Sequence, residues 1–191
     1  GTQLGVFGRN DVFDRSKFDY IVDTYNGKLP ISIKAVPEGS VVNTKNVLFT
    51  IESLDENCAW LTNFLESLLL QVWYPITVCT LSREVKKIVK KSFHDCTDYD
   101  NQTIDFLTGF VLNDFGFRGV SSVQSAKIGG SAHLVNFDGS DNVIASKLIN
   151  DVYNTEKVYA QSIPATEHSI MTLKGEEGEL ELMKRVLTTF P

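Results

Sequence analysis

An α/β fold built on parallel strands is predicted by three features of this sequence. From Phe110 onward, a short apolar run, a turn and a helical pattern follow one another three times. The spacing is roughly 25 residues, as expected of strand–turn–helix units. Ahead of these units, residues 30–52 alternate apolar and polar side chains or group β-branched ones, the pattern of a small β-rich layer. Between the two lies the most strongly helical stretch of the chain, with Pro75 set to kink it. The expected organisation is a β-rich portion (1–54), a helical connector (55–109) and the first βα units (110–191).

Composition bounds the function. The 191 residues are 42% hydrophobic and 22% charged, with a formal net charge of −6. That balance suits a globular protein with a real core and argues against a polyanionic partner such as nucleic acid. The longest uncharged run, Ser67 to Ser82, falls short of the ~20 apolar residues of a spanning helix, so no membrane contact is expected. The cysteines Cys58, Cys79 and Cys96 have no metal-site spacing and read as buried free thiols of a reducing, cytoplasmic compartment.

Taken in order, Asn10-Asp11 and Asn26-Gly27 are turn signals around a short helix over 15–25. Ile31, Ile33 and Ala35 alternate as a strand, Pro37-Glu38-Gly39 turns the chain, and Val41-Val42 and Val47–Ile51 are expected as further strands. Trp60, Leu61, Phe64, Leu65, Leu68, Leu69, Val72 and Trp73 form one broad face of a buried helix, which Asp55 or Asn57 can cap. A second helical pattern runs to about Phe93. Its Lys86, Lys87, Lys90 and Lys91 read as a solvated face, and His94-Asp95 as loop. A short helix over 98–108 is ended by Gly109. The three units then have strands at Phe110–Phe115, Leu134–Phe137 and Tyr159–Ile163. Their helices start near Ser122, near Val143 and after Pro164–Ser169, and the chain closes on a helix over Leu180–Leu187.

The turns carry the chemistry. In DFGFRGVSS (114–122), Phe115 offers a flat ring for stacking. Arg118, between Gly116 and Gly119 and close to a helix start, offers an anion cradle. Ser121, three residues before Gln124, has capping-box spacing. Asp141 and His168 occupy the corresponding turns of the other two units. In parallel α/β folds the loops after the strands share one face, so a cation, a carboxylate and an imidazole should converge. Each residue also has a structural reading: Asp141 as a helix N-cap, His168 as an interior histidine, Arg118 as a surface cation. His133 reads as structural.

These stretches, with LPISIKAVPEGSVV, NVLFTIES, CAWLTNFLESLLLQVWYPITV, SREVKKI, IGGSAHLVNF, GSD and SIPATEHS, closely resemble the nicotinamide phosphoribosyltransferase family. The resemblance runs from about Asn10 to Ser169. It implies a partial TIM-like (βα) barrel of about three units, preceded by the β-rich layer and the kinked helix. It also implies attack of nicotinamide on C1 of phosphoribosyl pyrophosphate, giving nicotinamide mononucleotide and pyrophosphate for NAD salvage. By motif, Phe115 would stack on nicotinamide and Arg118 would bind phosphate. Asp141 would accept from the carboxamide, disfavouring nicotinate. Ser162 and Ala165 would line the pocket, and His168, oriented by Glu167, would be the histidine phosphorylated by ATP. Mg2+ with phosphoribosyl pyrophosphate and ATP, and a homodimer, are further implications, with no metal ligand identified in this chain.

Family members are considerably longer. The expectation is therefore that an N-terminal segment and the C-terminal half of the barrel lie outside this sequence, and that the chain alone has little activity. Val123, Gln124 and Lys127 depart from the family's usual residues near the phosphate side. The alternative expectation is a truncated, inactive homologue that binds or dimerises.

Overall fold

The computed structural model describes residues 13–156 and 158–190. The turn signal at Asn10-Asp11 lies outside them. The chain divides into two compact units, Gly1–Val72 and Trp73–Pro191, a division that falls within the expected helical connector.

In the first unit, α1 (Arg15–Tyr25) starts at Asp14, whose carboxylate accepts from the Ser16 amide at 3.0 Å. It stops at Asn26, left-handed at φ 52°, followed by Gly27 at φ 77°. Left-handed φ is the cheap way to end a helix, and Asn and Gly are the residues that tolerate it. Strands β1 (Ile31–Ala35) and β2 (Phe49–Ser53) pair antiparallel with Ile33 opposite Ile51. Asp55 caps a 3₁₀ turn at Glu56–Cys58, and α2 (Trp60–Leu69) follows. Ile21, Cys58 and Leu61 form the buried centre, with Tyr20, Ile31 and Trp60 packed on it.

Three expectations need correction here. Val41-Val42 is irregular rather than a strand. Turns at Glu38-Gly39 and Thr44-Lys45 leave it no partner segment, and the hairpin closes instead through the Val36 amide on the Leu48 carbonyl at 3.0 Å. The second strand starts at Phe49, two positions late. The broad face of α2 is not buried: Leu61 is enclosed, but Phe64 and Leu68 stay exposed. A two-stranded hairpin and one helix cannot cover a stripe that wide.

The break expected at Pro75 is a 3₁₀ turn at Leu70–Val72, after which α3 (Trp73–Cys96) begins. Pro75 then sits in the first turn of α3, where a missing N–H forfeits no helical hydrogen bond. By length and composition, Trp60–Cys96 does contain an 18-residue window apolar enough to cross a membrane, with mean hydropathy 1.3. The window outruns the uncharged run Ser67 to Ser82 because it tolerates one or two charged residues.

In the second unit, α3 extends through His94 and Asp95, which are helical rather than loop; Lys91 pairs with Asp95 one turn on. Lys87 pairs with Glu84 and Lys90 with Asp105, so this basic face is neutralised within the chain. Lys86 donates to the Asn136 carbonyl. Helix α4 (Asn101–Thr108) is capped by Asp100, which accepts from Thr103 N at 2.7 Å. Helices α5 (Val123–His133), α6 (Val143–Tyr153), α7 (His168–Thr172) and α8 (Gly175–Thr189) follow. The cap of α5 is Ser122, on the Ser125 amide, rather than Ser121. That of α6 is Asn142, on the Ala145 amide, rather than Asp141.

The three expected parallel strands are reduced to single bridges. Asp114 pairs with Ser140, and Gly139 with Gln161, both parallel. The apolar runs themselves turn: 109–111 and 134–136 are turns, and Phe137 is buried at 1% exposure. The extended residues are the polar ones that follow each apolar run. Among the described residues the structure is thus mixed α/β and mostly helical, with one two-stranded sheet. Of the cysteines, Cys58 is buried but Cys96 is exposed.

Candidate functional site

The site begins with the register of the three short segments. Asp114 N donates to Gly139 O at 3.0 Å, and Asp141 N to Asp114 O at 3.3 Å. Ser140 N donates to Gln161 O at 2.7 Å, and Gln161 N to Asp138 O at 2.9 Å. Because the segments run parallel, the residues that follow the rungs emerge at one end. Those residues are Phe115, Asp141 and Ser162.

Beyond Asp114 the chain turns at once. Its Oδ1 accepts from Gly116 N at 2.9 Å, and a 3₁₀ turn at Gly116–Gly119 carries Arg118 outward. Beyond Gln161, an irregular stretch holding Ser162 and Ala165 leads to Glu167, and His168 opens α7. Glu167 joins the two loops. Its Oε2 lies 3.9 Å from Arg118 Nη2, and its Oε1 lies 3.7 Å from His168 Nδ1. These are exposed contacts: the Arg118 side chain is 77% accessible and that of His168 is 95% accessible. They tether two loops through one shared carboxylate and add little stability.

The structure therefore brings Arg118 and His168 together on Glu167 and sets Phe115, Asp141 and Ser162 at the same end of the segments. Asp141, Ser162 and Ala165 are exposed, as is Phe115 at 46%. His168 is a surface residue rather than an interior one, and Asp141 is not the helix cap. A cleft of about 330 Å³ opens beside Phe115, between the 112–117 segment, Tyr74 on α3 and Gly130 on α5. Chemically, the arrangement offers an aromatic face, a carboxylate, a guanidinium and an imidazole within reach of solvent. Among the described residues, no three His, Cys, Asp or Glu side chains cluster as a metal site would require.

The residues that hold this arrangement are ones the sequence reading passed over. Asn142 is 1% exposed. Its Nδ2 donates to Ala126 O at 2.9 Å, its amide donates to Ser140 Oγ at 3.0 Å, and its Oδ1 accepts from Ala145 N. A buried amide with these partners fixes the start of α6 against α5. Its position just ahead of an apolar helical run was the available signal; Asp141, beside it, drew the assignment. Gly130 is needed for the same packing. A Cβ there would lie 2.6 Å from Asn142 Nδ2 and 2.7 Å from Ala145 Cβ.

The sequence also matches known proteins. The nicotinate phosphoribosyltransferase (NAPRTase) family model matches residues 110–190. Over 181 residues the chain is 49% identical to the nicotinamide phosphoribosyltransferase of Xanthomonas campestris pv. campestris, covering 93% of this chain and 37% of that protein. It is 35% identical over 164 residues to the enzyme of that name from Acinetobacter baylyi, covering 84% and 31%. The Mycoplasma pneumoniae enzyme of that name is 34% identical over 170 residues, covering 86% and 34%. The chain spans about a third of the length of these curated relatives. With most of its length aligned in each case, the chain is similar throughout to part of proteins named nicotinamide phosphoribosyltransferase.

Proposed function

We propose that the chain carries the nicotinamide-facing part of an enzyme that joins nicotinamide to phosphoribosyl pyrophosphate in NAD salvage. One observation carries the reading: the residues leaving three parallel segments do so at one end, where Arg118 and His168 share Glu167. The likeness to three relatives bearing the name nicotinamide phosphoribosyltransferase supports it.

In the proposed reaction the pyridine nitrogen of nicotinamide attacks C1 of the phosphoribosyl donor. The bond from C1 to pyrophosphate oxygen breaks, and pyrophosphate leaves with the electron pair. Phe115 stacks on the ring, which becomes a cationic pyridinium and so gains from an aromatic face. Asp141 accepts from the carboxamide N–H. Nicotinate would set a second carboxylate against it, a repulsion that selects the amide. Arg118 presents a fork of donors to phosphate oxygens, exchanging Glu167 for the substrate. Ser162 and Ala165, on the stretch before Glu167, border the pocket. His168 accepts the terminal phosphoryl group of ATP on its imidazole, releasing ADP, while Glu167 steadies Nδ1 and leaves Nε2 outward.

Magnesium is expected to arrive with the phosphorylated substrates, since the described residues include no carboxylate cluster to hold it. The proposal extends to a βα-barrel parentage for the three segment–helix units, a homodimeric assembly that covers exposed apolar side chains such as Phe64 and Leu68, and a cytoplasmic setting without membrane or nucleic-acid partners. The test is ligand discrimination by the 191-residue chain, followed by calorimetry. Nicotinamide should bind, nicotinate should bind at least tenfold more weakly, and Asp141→Ser should narrow that gap. Equal binding of acid and amide by the parent chain overturns the role given to Asp141.

A further inference from the structure

We propose that His133 is a positioning residue for this site. Its imidazole, protonated on Nε2, ties the segment leading into Phe115 and Arg118 to the segment leading into Asp141. The tie itself stands on geometry; its consequence for ligand binding rests on the nicotinamide reading above.

His133 closes α5 and is 6% exposed. Its Nε2 lies 3.3 Å from Leu112 O and 3.2 Å from Gly139 O. Both neighbours are carbonyl oxygens and can only accept, so Nε2 carries the proton and shares it between them. Nδ1 lies 3.1 Å from Ser82 Oγ on α3. In the Nε2–H tautomer Nδ1 has a lone pair, to which the serine hydroxyl donates. The ring lies flat on Phe137, with centroids 5.3 Å apart and planes 12° from parallel.

The position of the two carbonyls gives the contact its consequence. Leu112 is just upstream of the Asp114 rung, and Gly139 adjoins the Ser140 rung. Only one bridge, Asp114 to Ser140, joins these segments. A ladder of one rung sets the angle between the strands weakly, and upstream of it the backbone adds one bond, from Asp138 N to Gly109 O at 2.8 Å. The imidazole adds a side-chain attachment on that upstream side, the one that reaches Leu112 itself. It is referenced to α3 through Ser82 and to the following turn through Phe137. Moving the ring would change how Phe115 and Arg118 stand relative to Asp141 while leaving α4 and α8 alone. A histidine that served only to fill the core would have no such directional effect.

The experiment uses the 191-residue chain labelled with nitrogen-15, with His133→Phe and His133→Gln variants. The parent should show a protonated Nε2 at His133. His133→Phe keeps a ring on Phe137 but removes both hydrogen bonds. Its amide resonances should shift at 114–118 and 139–142 and stay in place in α4 and α8, with nicotinamide affinity reduced about tenfold or more. His133→Gln keeps an N–H donor and should recover most of the affinity and of the parent resonances. It decides the question alone if the Phe variant fails to fold. An Nδ1–H tautomer, or resonance changes confined to α3 and α5, overturns the proposal; so does a Gln variant no better than Phe. A parent chain that shows the expected tautomer and resonance changes but binds no nicotinamide supports the tie and refutes the nicotinamide reading.

Discussion

Replacing Gly130 by Ala tests the packing that sets the site, and two opposed effects can be weighed in advance. Alanine favours the helix over glycine by about 1 kcal/mol. Against that, the new Cβ would stand 2.7 Å from Ala145 Cβ and 2.6 Å from Asn142 Nδ2. Carbon atoms pack at about 3.5–4.0 Å, so α5 and α6 must part by roughly 1 Å. Ala145 has no flexible end to swing away and is fully buried. Asn142 is held at both ends of its amide. Overpacking of this kind costs about 1–3 kcal/mol, and the rigidity of both neighbours puts Gly130→Ala at the upper end. The net expectation is a loss of ~1–2 kcal/mol. Gly129→Ala is the internal control. Its Cβ meets the hydroxyl end of Tyr74, a side chain that can pivot about its own Cα–Cβ bond, so helix propensity should offset most of the strain. Urea unfolding followed by circular dichroism measures both. If Gly129→Ala is the more damaging, or Gly130→Ala is as stable as the parent, the close approach of α5 to α6 is not what the glycine is for.

Three further outcomes follow from other parts of the chain. Tyr25 and Tyr20 both donate to Asp55 Oδ2, at 2.8 and 2.9 Å. The Tyr25 hydroxyl, then the Asn57 amide, hold the Asp55 carboxyl below the usual carboxylate range, and the same bond pushes Tyr25 up to about 12. The acid limb, with a lowered folded pKa, is intact above the ordinary carboxylate value and lost as pH falls through the lowered one. The alkaline limb, with a raised folded pKa, is intact below the ordinary phenol value of about 10 and lost as pH rises towards 12. The gap in melting temperature between the parent and Tyr25→Phe should therefore be widest between those limits and close on both sides; a gap independent of pH refutes the pairing. For the thiols, burial pushes Cys58 up while Cys96 is exposed. A thiol reagent should label Cys96 in the folded chain and reach Cys58 only after denaturation, as mass spectrometry of the digests would show. In Asp141→Ser, finally, nicotinate binding should rise while melting temperature stays near the parent's, because Asn142 and not Asp141 caps α6.

Helices were legible wherever local chemistry set both ends. Asp14 and Asn26 bound α1, and Asp100 and Gly109 bound α4, so those segments could be read without knowing their neighbours. Burial was not legible in the same way. The stripe on α2 has helical spacing, but whether Phe64 and Leu68 are covered depends on what packs against them, which no local pattern encodes. The strands were misread for a related reason. Leu134–Phe137 has the composition of a strand, yet Phe137 is buried in the turn that leaves α5, stacked on His133. Extended backbone begins only afterwards, in Asp138, Gly139 and Ser140. Hydrophobicity located each unit and missed its strand by a few residues, because strands this short are held by backbone register and polar side chains.

That register also decides which residue of Gly-Ser-Asp-Asn can meet a ligand. Side chains of an extended segment alternate between faces. Ser140, at 2% exposure, and Asn142, at 1%, point inward, where Asn142 N donates to Ser140 Oγ and Asn142 Nδ2 to Ala126 O. Asp141, between them, faces out, its amide on the Asp114 carbonyl. Shifting the segment by one residue would turn a carboxylate inward with no cation beside it and expose two side chains whose hydrogen bonds need the interior. Inserting or deleting a single residue between Phe137 and Val143 should therefore cost more stability than replacing Asp141 by any polar residue. The Asp141 carboxylate is kept in place by its neighbours' need for burial, and its own charge is left exposed at the end of the three segments.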